Sequence, residues 1–291
     1  MNYLLSEIAH IVGGEHRGAD VRVRSIATDS RSVVSAEEIA FAAIDGKNHD
    51  GHQFIERMVA RGVEAFIVER EVELPNKRCG VVVVESTLGA LQRLATYHRE
   101  RFKGRVVAIT GSNGKTIVKE WASRSMPDSV HSFASPKSYN SQLGVALSLL
   151  MLEGSEEVAF IEAGISQPGE MERLECMIQP EIVVVTSIGD AHSANFESEA
   201  QKIEEKLLLA KRAATIIYSS EYPTLAKRIK ELYSDRELID SSAESEDYEL
   251  ELSDALSVDA MHVSALMRKL GYGVDEAIFS AKVSMRLELK E

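Results

Sequence analysis

Cysteine, positive charge and long apolar runs are what this sequence has least of. Its two cysteines, Cys79 and Cys176, are too few and too far apart for a disulfide framework or a metal knuckle. They read as reduced, part-buried thiols. No apolar run approaches the roughly 20 residues needed to cross a bilayer, so membrane insertion is not expected. The opening stretch, Met1 to Val12, mixes Ser6, Glu7 and His10 among apolar positions. It lacks the basic start and small-residue cleavage site of a signal peptide, and the expected location is the cytoplasm. Lys and Arg number 33 against 46 Asp and Glu, a formal net charge of −13. That balance speaks against a general nucleic-acid binder, because phosphate backbones call for basic surface. A single nucleotide stays within reach of an acidic protein if local amides, a lysine and metal ions handle its phosphates. No internal repeat is visible.

What is present is enough for two cores. A chain of 291 residues, 44% hydrophobic and 27% charged, is long for one domain and ordinary for a soluble pair. Residues 3–12 have helical apolar spacing that stops at Gly13-Gly14. The stretches VRVRSIATDSR and EIAFAAIDGKNHDGHQFIERMVARGVEAFIVE follow, the second reading as strand, polar loop, helix and strand. VVVVE at 81–85 reads as a buried strand and 87–102 as an amphipathic helix. The boundary is expected near Lys103-Gly104, giving domains 1–103 and 104–291.

From Arg105 onward strands alternate with helices: VVAIT then IVKEWASRSM, LGVALSLLML then VAFIEAG, MERLECMI then IVVVTSIG, IEEKLLLAKR then TIIYSS. This is the rhythm of βαβ units and a largely parallel sheet, so the fold class is α/β. Ligands of such sheets bind at the carboxyl ends of strands, which is where every polar motif of this half falls. Beyond Tyr222 two further helices are expected, LAKRIKELY and VDAMHVSALMRKLG. They flank an acidic stretch, Glu244 to Glu251, that reads as a solvated loop.

Three motifs carry chemistry. Thr110-Gly111-Ser112-Asn113-Gly114-Lys115-Thr116 lies between a strand and a helix. Its glycines let amides curl round a phosphate at a helix N-terminus; Lys115 would reach the β/γ-phosphates and Thr116 would hold Mg²⁺. Ile109 stands where a strict GxxxxGK[ST] loop has its first glycine, so a plain Gly-rich turn is the competing reading. Glu162 ends the strand VAFIE and is placed to bind Mg²⁺ through its oxygens, although a lone strand-end glutamate is commonly just solvated. SIGDAH, 187–192, precedes a helix carrying Lys202 and Lys206; ordinary surface charge beside Glu205 accounts for both lysines, and spacing singles out neither.

The ordered set TGSNGKT, SYNSQLGV, EAG, SIGDAH and a lysine fourteen residues past His192 resembles the Mur ligases, ATP-dependent enzymes of peptidoglycan synthesis. TDSR at 28–31 and DGKNHDGHQFI at 45–55 look like the UDP-binding first domain of that family. MRLE at 285–288 looks like the end of its central domain in the member that adds D-alanyl-D-alanine to UDP-N-acetylmuramoyl-tripeptide. The resemblance implies a small N-terminal α/β domain and a P-loop-type central domain, with Lys115 at the γ-phosphate and Asn140 near phosphates and metal. It implies two Mg²⁺ sites, one on Thr116 and Glu162 and one on His192. Lys206 matches a lysine that the family carbamylates. Ser30, Arg31, Lys47, Asn48 and His49 are implied at the uracil and diphosphate. The implied activity is ligation through an acyl phosphate, which needs no protein nucleophile, by a monomer whose partners are the nucleotide precursor and the dipeptide.

The sequence also departs from that pattern. Ala146 follows Gly144-Val145 where the family reads GVP, and Ala40-Phe41 replaces its LF. Asp259 stands where an adenine-contacting asparagine is expected; a carboxylate has no NH₂ to donate. The stretch 235–255 is short, and the chain stops after MRLE, where a third domain that closes over ATP is expected to begin. Alternative readings are a Mur ligase adding a single amino acid, a P-loop kinase or ATPase with no use for Lys206, and a module that binds the nucleotide precursor without turning over ATP.

Overall fold

A computed structural model of the protein describes residues 1–33, 35–46, 49–73, 76–137, 139–189, 195–244, 253–275 and 277–280. The chain divides into two compact units, Met1–Phe102 with Ala146–Gly154, and Lys103–Val145 with Ser155 onward. The short stretch 146–154 thus groups with the first unit, whereas the sequence reading places it in the second domain.

The first unit opens with β1 (Tyr3–Leu4), α1 (Leu5–Val12), β2 (Glu15–Gly18), β3 (Arg22–Val23), β4 (Ser25–Ala27) and β5 (Ile39–Ala42). A two-stranded ribbon, β6 (Asp45–Gly46) with β7 (His49–Asp50), leads through the 3-10 turn Gly51–Phe54 into α2 (Ile55–Ala60). Then come β8 (Ala65–Val68), β9 (Gly80–Val83) and α3 (Thr87–Arg99). Ser86 caps α3 by accepting from the Gly89 amide, a common way to satisfy a first-turn donor. The five-stranded sheet has the order β2-β9-β8-β5-β4, antiparallel only where β2 meets β9. Alternate strand residues (Phe41, Phe66, Val81) pack with Ile55 and Met58 of α2. α1 packs against α3 and β9.

The second unit runs β10 (Arg105–Thr110), α4 (Lys115–Arg124), β11 (Ser132–Ala134), the start of α5 (Gln142–Leu150, grouped with the first unit from Ala146), β12 (Val158–Glu162), α6 (Glu170–Ile178) and β13 (Ile182–Val185). It continues with α7 (Glu199–Leu207), the turn Leu208–Ala210, β14 (Thr215–Tyr218), α8 (Pro223–Leu232), β15 (Glu237–Asp240), the turn Ser241–Glu244, α9 (Asp254–Leu270) and α10 (Ala277–Ser280). Its sheet has the order β11-β12-β10-β13-β14-β15, every pairing parallel. Strands β12, β13 and β14 are buried along their whole length, which is why they read as unbroken apolar runs. On one face Val107, Ile109, Phe160 and Val184 meet Trp121 of α4 and Val263 and Leu266 of α9. Trp121 packs edge-on against Phe279, ring centres 5.0 Å apart. The carboxyl ends of β10, β12 and β13 are thereby brought side by side.

Two expectations are corrected. Cys176 is exposed rather than part-buried, because its neighbour Glu175 takes the inward position on α6; Cys79 is buried, and both thiols are free. β2, β11 and β15 are strands that the periodicity does not announce. All three lie at sheet edges, where one side of the ladder is open and an apolar run is not needed. No helix among the described residues is long and apolar enough to cross a membrane.

Candidate active site

The loop between β10 and α4 is shaped by two glycines. Gly111 has φ 144°, and a Cβ there would lie 1.9 Å from the Thr186 hydroxyl oxygen. Gly114, at φ 82°, sits where a Cβ would be 2.3 Å from an Asp259 oxygen. Both positions therefore exclude side chains twice over, by backbone conformation and by space. The Thr186 hydroxyl donates to the Asn113 carbonyl at 2.6 Å, while the amide and hydroxyl of Ser112 donate to the Ser187 and Gly189 carbonyls at 2.7 and 3.1 Å. The loop is thus tied to the residues that follow β13. The Thr110 hydroxyl oxygen is buried beside it with no hydrogen-bond partner among the described residues.

Three lysines surround this loop. Lys115 donates to the carbonyls of Gly111 and Ser112 at 2.9 and 3.0 Å. Lys206, from the last turn of α7, donates to the Gly111 carbonyl at 2.9 Å, and Lys202, one turn earlier, donates to Gly189. Lys202 and Lys206 are buried, at 1% and 4% exposure, so the surface-charge reading of both is wrong. Glu205, expected beside them, instead accepts from the amides of Gly169 and Met171 at the start of α6. Burial, then the charges of Lys115 and Lys202, push the Lys206 amine down to about 7. Burial also lowers Lys115, with Glu162 opposing the shift and Lys202 adding to it.

Glu162 lies at the end of β12, 1% exposed. The Thr116 hydroxyl donates to one of its oxygens at 2.9 Å and the Asn140 amide to the other at 2.7 Å. Lys119, fully buried in α4, stands 3.8 Å away and donates to the carbonyls of Ser135 and Lys137 in the segment leading to Asn140. Gly111, Ser112, Lys115, Asn140 and Lys206 line one cavity of about 250 Å³. The structure therefore brings together Thr110 to Thr116, Asn140, Glu162 and Lys206. His192 lies outside the described residues. Among those residues no cluster of three or more His, Cys, Asp or Glu is found. A carboxylate and a hydroxyl side by side are nonetheless hard oxygen donors of the kind Mg²⁺ takes, with phosphate and water oxygens completing its shell.

In the first unit, Ser30 is buried and its carbonyl accepts from Arg61 at 2.7 Å; Arg61 also donates to the Val33 carbonyl. Arg31 is held by Asp29, whose carboxyl its hydrogen bonds bring down to about 2. Lys47 and Asn48 lie outside the described residues, and of His49 only the backbone, in β7, is described.

The Mur ligase middle domain matches residues 109–271, more than half of the chain, and the Mur ligase family catalytic domain matches residues 22–99. The chain belongs to the Mur ligase family. The UDP-N-acetylmuramoyl-tripeptide--D-alanyl-D-alanine ligase of Bacillus subtilis is 31% identical over 206 residues, which are 70% of this chain and 45% of that protein. The Escherichia coli protein of the same name is 32% identical over 198 residues, 67% of this chain and 42% of the other. The chain thus spans less than half the length of these relatives. Among solved structures, MurF from Acinetobacter baumannii gives a TM-score of 0.84 at 23% identity, covering 96% of this chain and 67% of that one. MurF ligase from Thermotoga maritima, in complex with ADP, gives 0.75 at 24%, covering 89% and 66%. At these identities the likeness is one of fold.

Around these positions this Mur ligase also has buried or part-buried contacts that no sequence motif marks. Thr186, Lys119 and Arg61 act through backbone carbonyls, a role that leaves no spacing signature. His52 is buried; it accepts from the Glu69 amide through Nε2 at 3.0 Å, so Nδ1 carries the proton donated to Asp50 at 2.7 Å. The run Asp50-Gly51-His52 was visible as part of the loop motif, but the Glu69 contact, seventeen residues on, was not.

Proposed function

We propose that this Mur ligase takes part in the ATP-dependent joining of D-alanyl-D-alanine to UDP-N-acetylmuramoyl-tripeptide, with ATP at 110–116 and the nucleotide precursor in the first unit. One observation carries the reading: three buried or half-buried lysines converge on a glycine-shaped loop beside Glu162 and Asn140. Such an array has no use without a bound polyanion, since like charges in a dry site repel.

A carboxylate is a poor electrophile. Its oxygen attacks the γ-phosphorus, ADP leaves, and the acyl phosphate that results is attacked by the dipeptide amine, which loses a proton as phosphate departs. Lys115, beside the loop carbonyls, and the loop amides would hold the phosphates and stabilise the charge that develops on them. Asn140 and Thr116 orient Glu162. Mg²⁺ on Glu162 and Thr116 would neutralise phosphate charge and align the nucleotide. Lys206, with an amine titrating near neutrality, is suited to add CO₂ with release of a proton, exchanging a cation for two oxygens. Carbamylation at this position is part of the proposal.

The test is phosphate release from ATP with the tripeptide nucleotide and D-alanyl-D-alanine, each omitted in turn, with ¹⁸O in the tripeptide carboxyl. Release that depends on both substrates and carries ¹⁸O into phosphate supports the reading. ATP hydrolysis indifferent to both would replace it with a simple ATPase.

A further inference from the structure

Asp259 is a carboxyl at the phosphate loop that the proposed chemistry leaves unused, and its position is unusual. It projects from the second turn of α9, is 7% exposed, and has no hydrogen-bond partner among the described residues. Its two oxygens lie 2.3 and 2.7 Å from where a Cβ on Gly114 would stand, so the carboxyl touches the backbone of the phosphate loop itself. Gly114 is the residue from which α4 springs, where the positive end of the helix is expected to face a bound anion. A carboxylate at that point would place a negative charge behind the very amides that must attract phosphate.

We propose that the phosphate loop takes a polyphosphate with Asp259 as the neutral acid, so that nucleotide binding is coupled to protonation of this side chain. The inference rests on the nucleotide-site reading above. Among the described residues, the titratable groups around Asp259 offer it no counter-charge. Tyr222, ahead of α8, faces it: the phenol is raised by burial first and by the Asp259 charge second. Glu221 beside it is exposed. From α4, which packs along α9, Lys115 is turned to the Gly111 and Ser112 carbonyls and Lys119 to those of Ser135 and Lys137. Tyr218 of β14 lies against Lys230, and His262, one turn on along α9, is hydrogen bonded to Ser241. Burial alone pushes the Asp259 carboxyl up, to about 7, so the neutral and charged forms exchange in the working range of pH.

Below neutral pH the acid is already neutral and nucleotide binds at no cost. Above it, binding must draw a proton onto Asp259 or tolerate the charge, and affinity falls. At separations of several ångströms, with partial screening, one such charge is worth about tenfold in affinity.

The experiment is calorimetric titration of the protein and of Asp259→Asn with MgADP, from about pH 6 to pH 8.5, in buffers of different ionisation heat. Any other group of the site that changes protonation on binding does so in both proteins, so the difference between them reports Asp259. The expected result is equal affinity near pH 6, about tenfold tighter binding by Asp259→Asn near pH 8.5, and a smaller proton uptake in the variant. Tighter binding at every pH would mean a new amide contact, and parallel profiles with equal uptake would mean an idle carboxyl; either overturns the proposal. Infrared difference spectra of the unsubstituted protein give a second measurement that needs neither nucleotide nor a folded variant. A carboxylic acid band should persist to about pH 7, since among the described carboxyls Asp259 is the one that burial raises; loss of every such band by pH 5 overturns the proposal alone. Absence of MgADP binding in both proteins would remove the nucleotide-site reading beneath it.

Discussion

The ammonium of Lys206 lies 2.9 Å from the carbonyl oxygen of Gly111, although ninety-five residues separate them. Free lysine titrates at 10.5 and Lys206 at about 7. Between those values the unfolded chain binds more protons than the folded one, so Lys206 opposes folding below pH 7. The opposition fades as pH rises toward 10.5. Lys206→Met is therefore expected to raise the melting temperature at pH 7, with a gap that narrows by pH 10. A gap of constant size would show that the amine titrates normally.

For the proposed reaction, Lys206→Ala should lower turnover by about two orders of magnitude or more, the usual scale for losing a group that organises transition-state charge. Bicarbonate with short carboxylic acids should restore part of the loss, because they supply the oxygens of a carbamate. Undiminished turnover would remove Lys206 from the mechanism.

Glu162 accepts from Thr116 and Asn140 on opposite oxygens. In Glu162→Gln one of those oxygens becomes a donor facing a donor. Metal-free nucleotide should bind as before, while the strengthening brought by Mg²⁺ should shrink by roughly 10- to 100-fold, as for perturbed metal-site partners elsewhere. Calorimetry with and without Mg²⁺ separates the two.

Thr186→Ala removes the donor shared by the Asn113 carbonyl at 2.6 Å and the buried Thr110 carbonyl at 3.1 Å, a loss of about 1 kcal/mol. Denaturant unfolding should show that loss. Gly111→Ala should be worse, abolishing nucleotide binding, since both its φ and the Thr186 hydroxyl stand against a Cβ. Thr186→Ala should not rescue Gly111→Ala, because the backbone conformation remains.

Arg61→Ala removes the donors to the Ser30 and Val33 carbonyls. If that turn holds the uridine nucleotide, affinity for UDP should fall about tenfold, the scale of one to two hydrogen bonds, with MgADP affinity unchanged. Equal weakening of both ligands would point to a general loss of structure.

The second unit's fold was readable because its strands are buried on both faces, so β12, β13 and β14 announce themselves as apolar runs between helical patterns. TGSNGKT and the strand-end Glu162 were readable for the same reason: each sits directly at the carboxyl end of such a strand. Lys206 was not selected by its residues at all, since a helix position four past another lysine looks like solvent-facing charge until the helix is docked; only the family resemblance pointed to it. Thr186, Lys119 and Arg61 bind backbone carbonyls far away in sequence, and no side-chain pattern encodes a carbonyl. Asp259 was marked by its departure from the family, but its contact with Gly114 depends on how α9 packs against α4.

The outermost strand of the first sheet, β2, has consequences in crowded solution. Its sequence is Glu-His-Arg-Gly, and Arg17 is clasped between Glu15 and Glu71 at 2.8 and 2.9 Å. A free strand edge invites other chains to extend the ladder, and charge along a short edge opposes it. Here the cation is already claimed on both sides, leaving a polar rim that a second molecule would have to desolvate before pairing. This edge should therefore resist fibril-like growth even at high protein concentration.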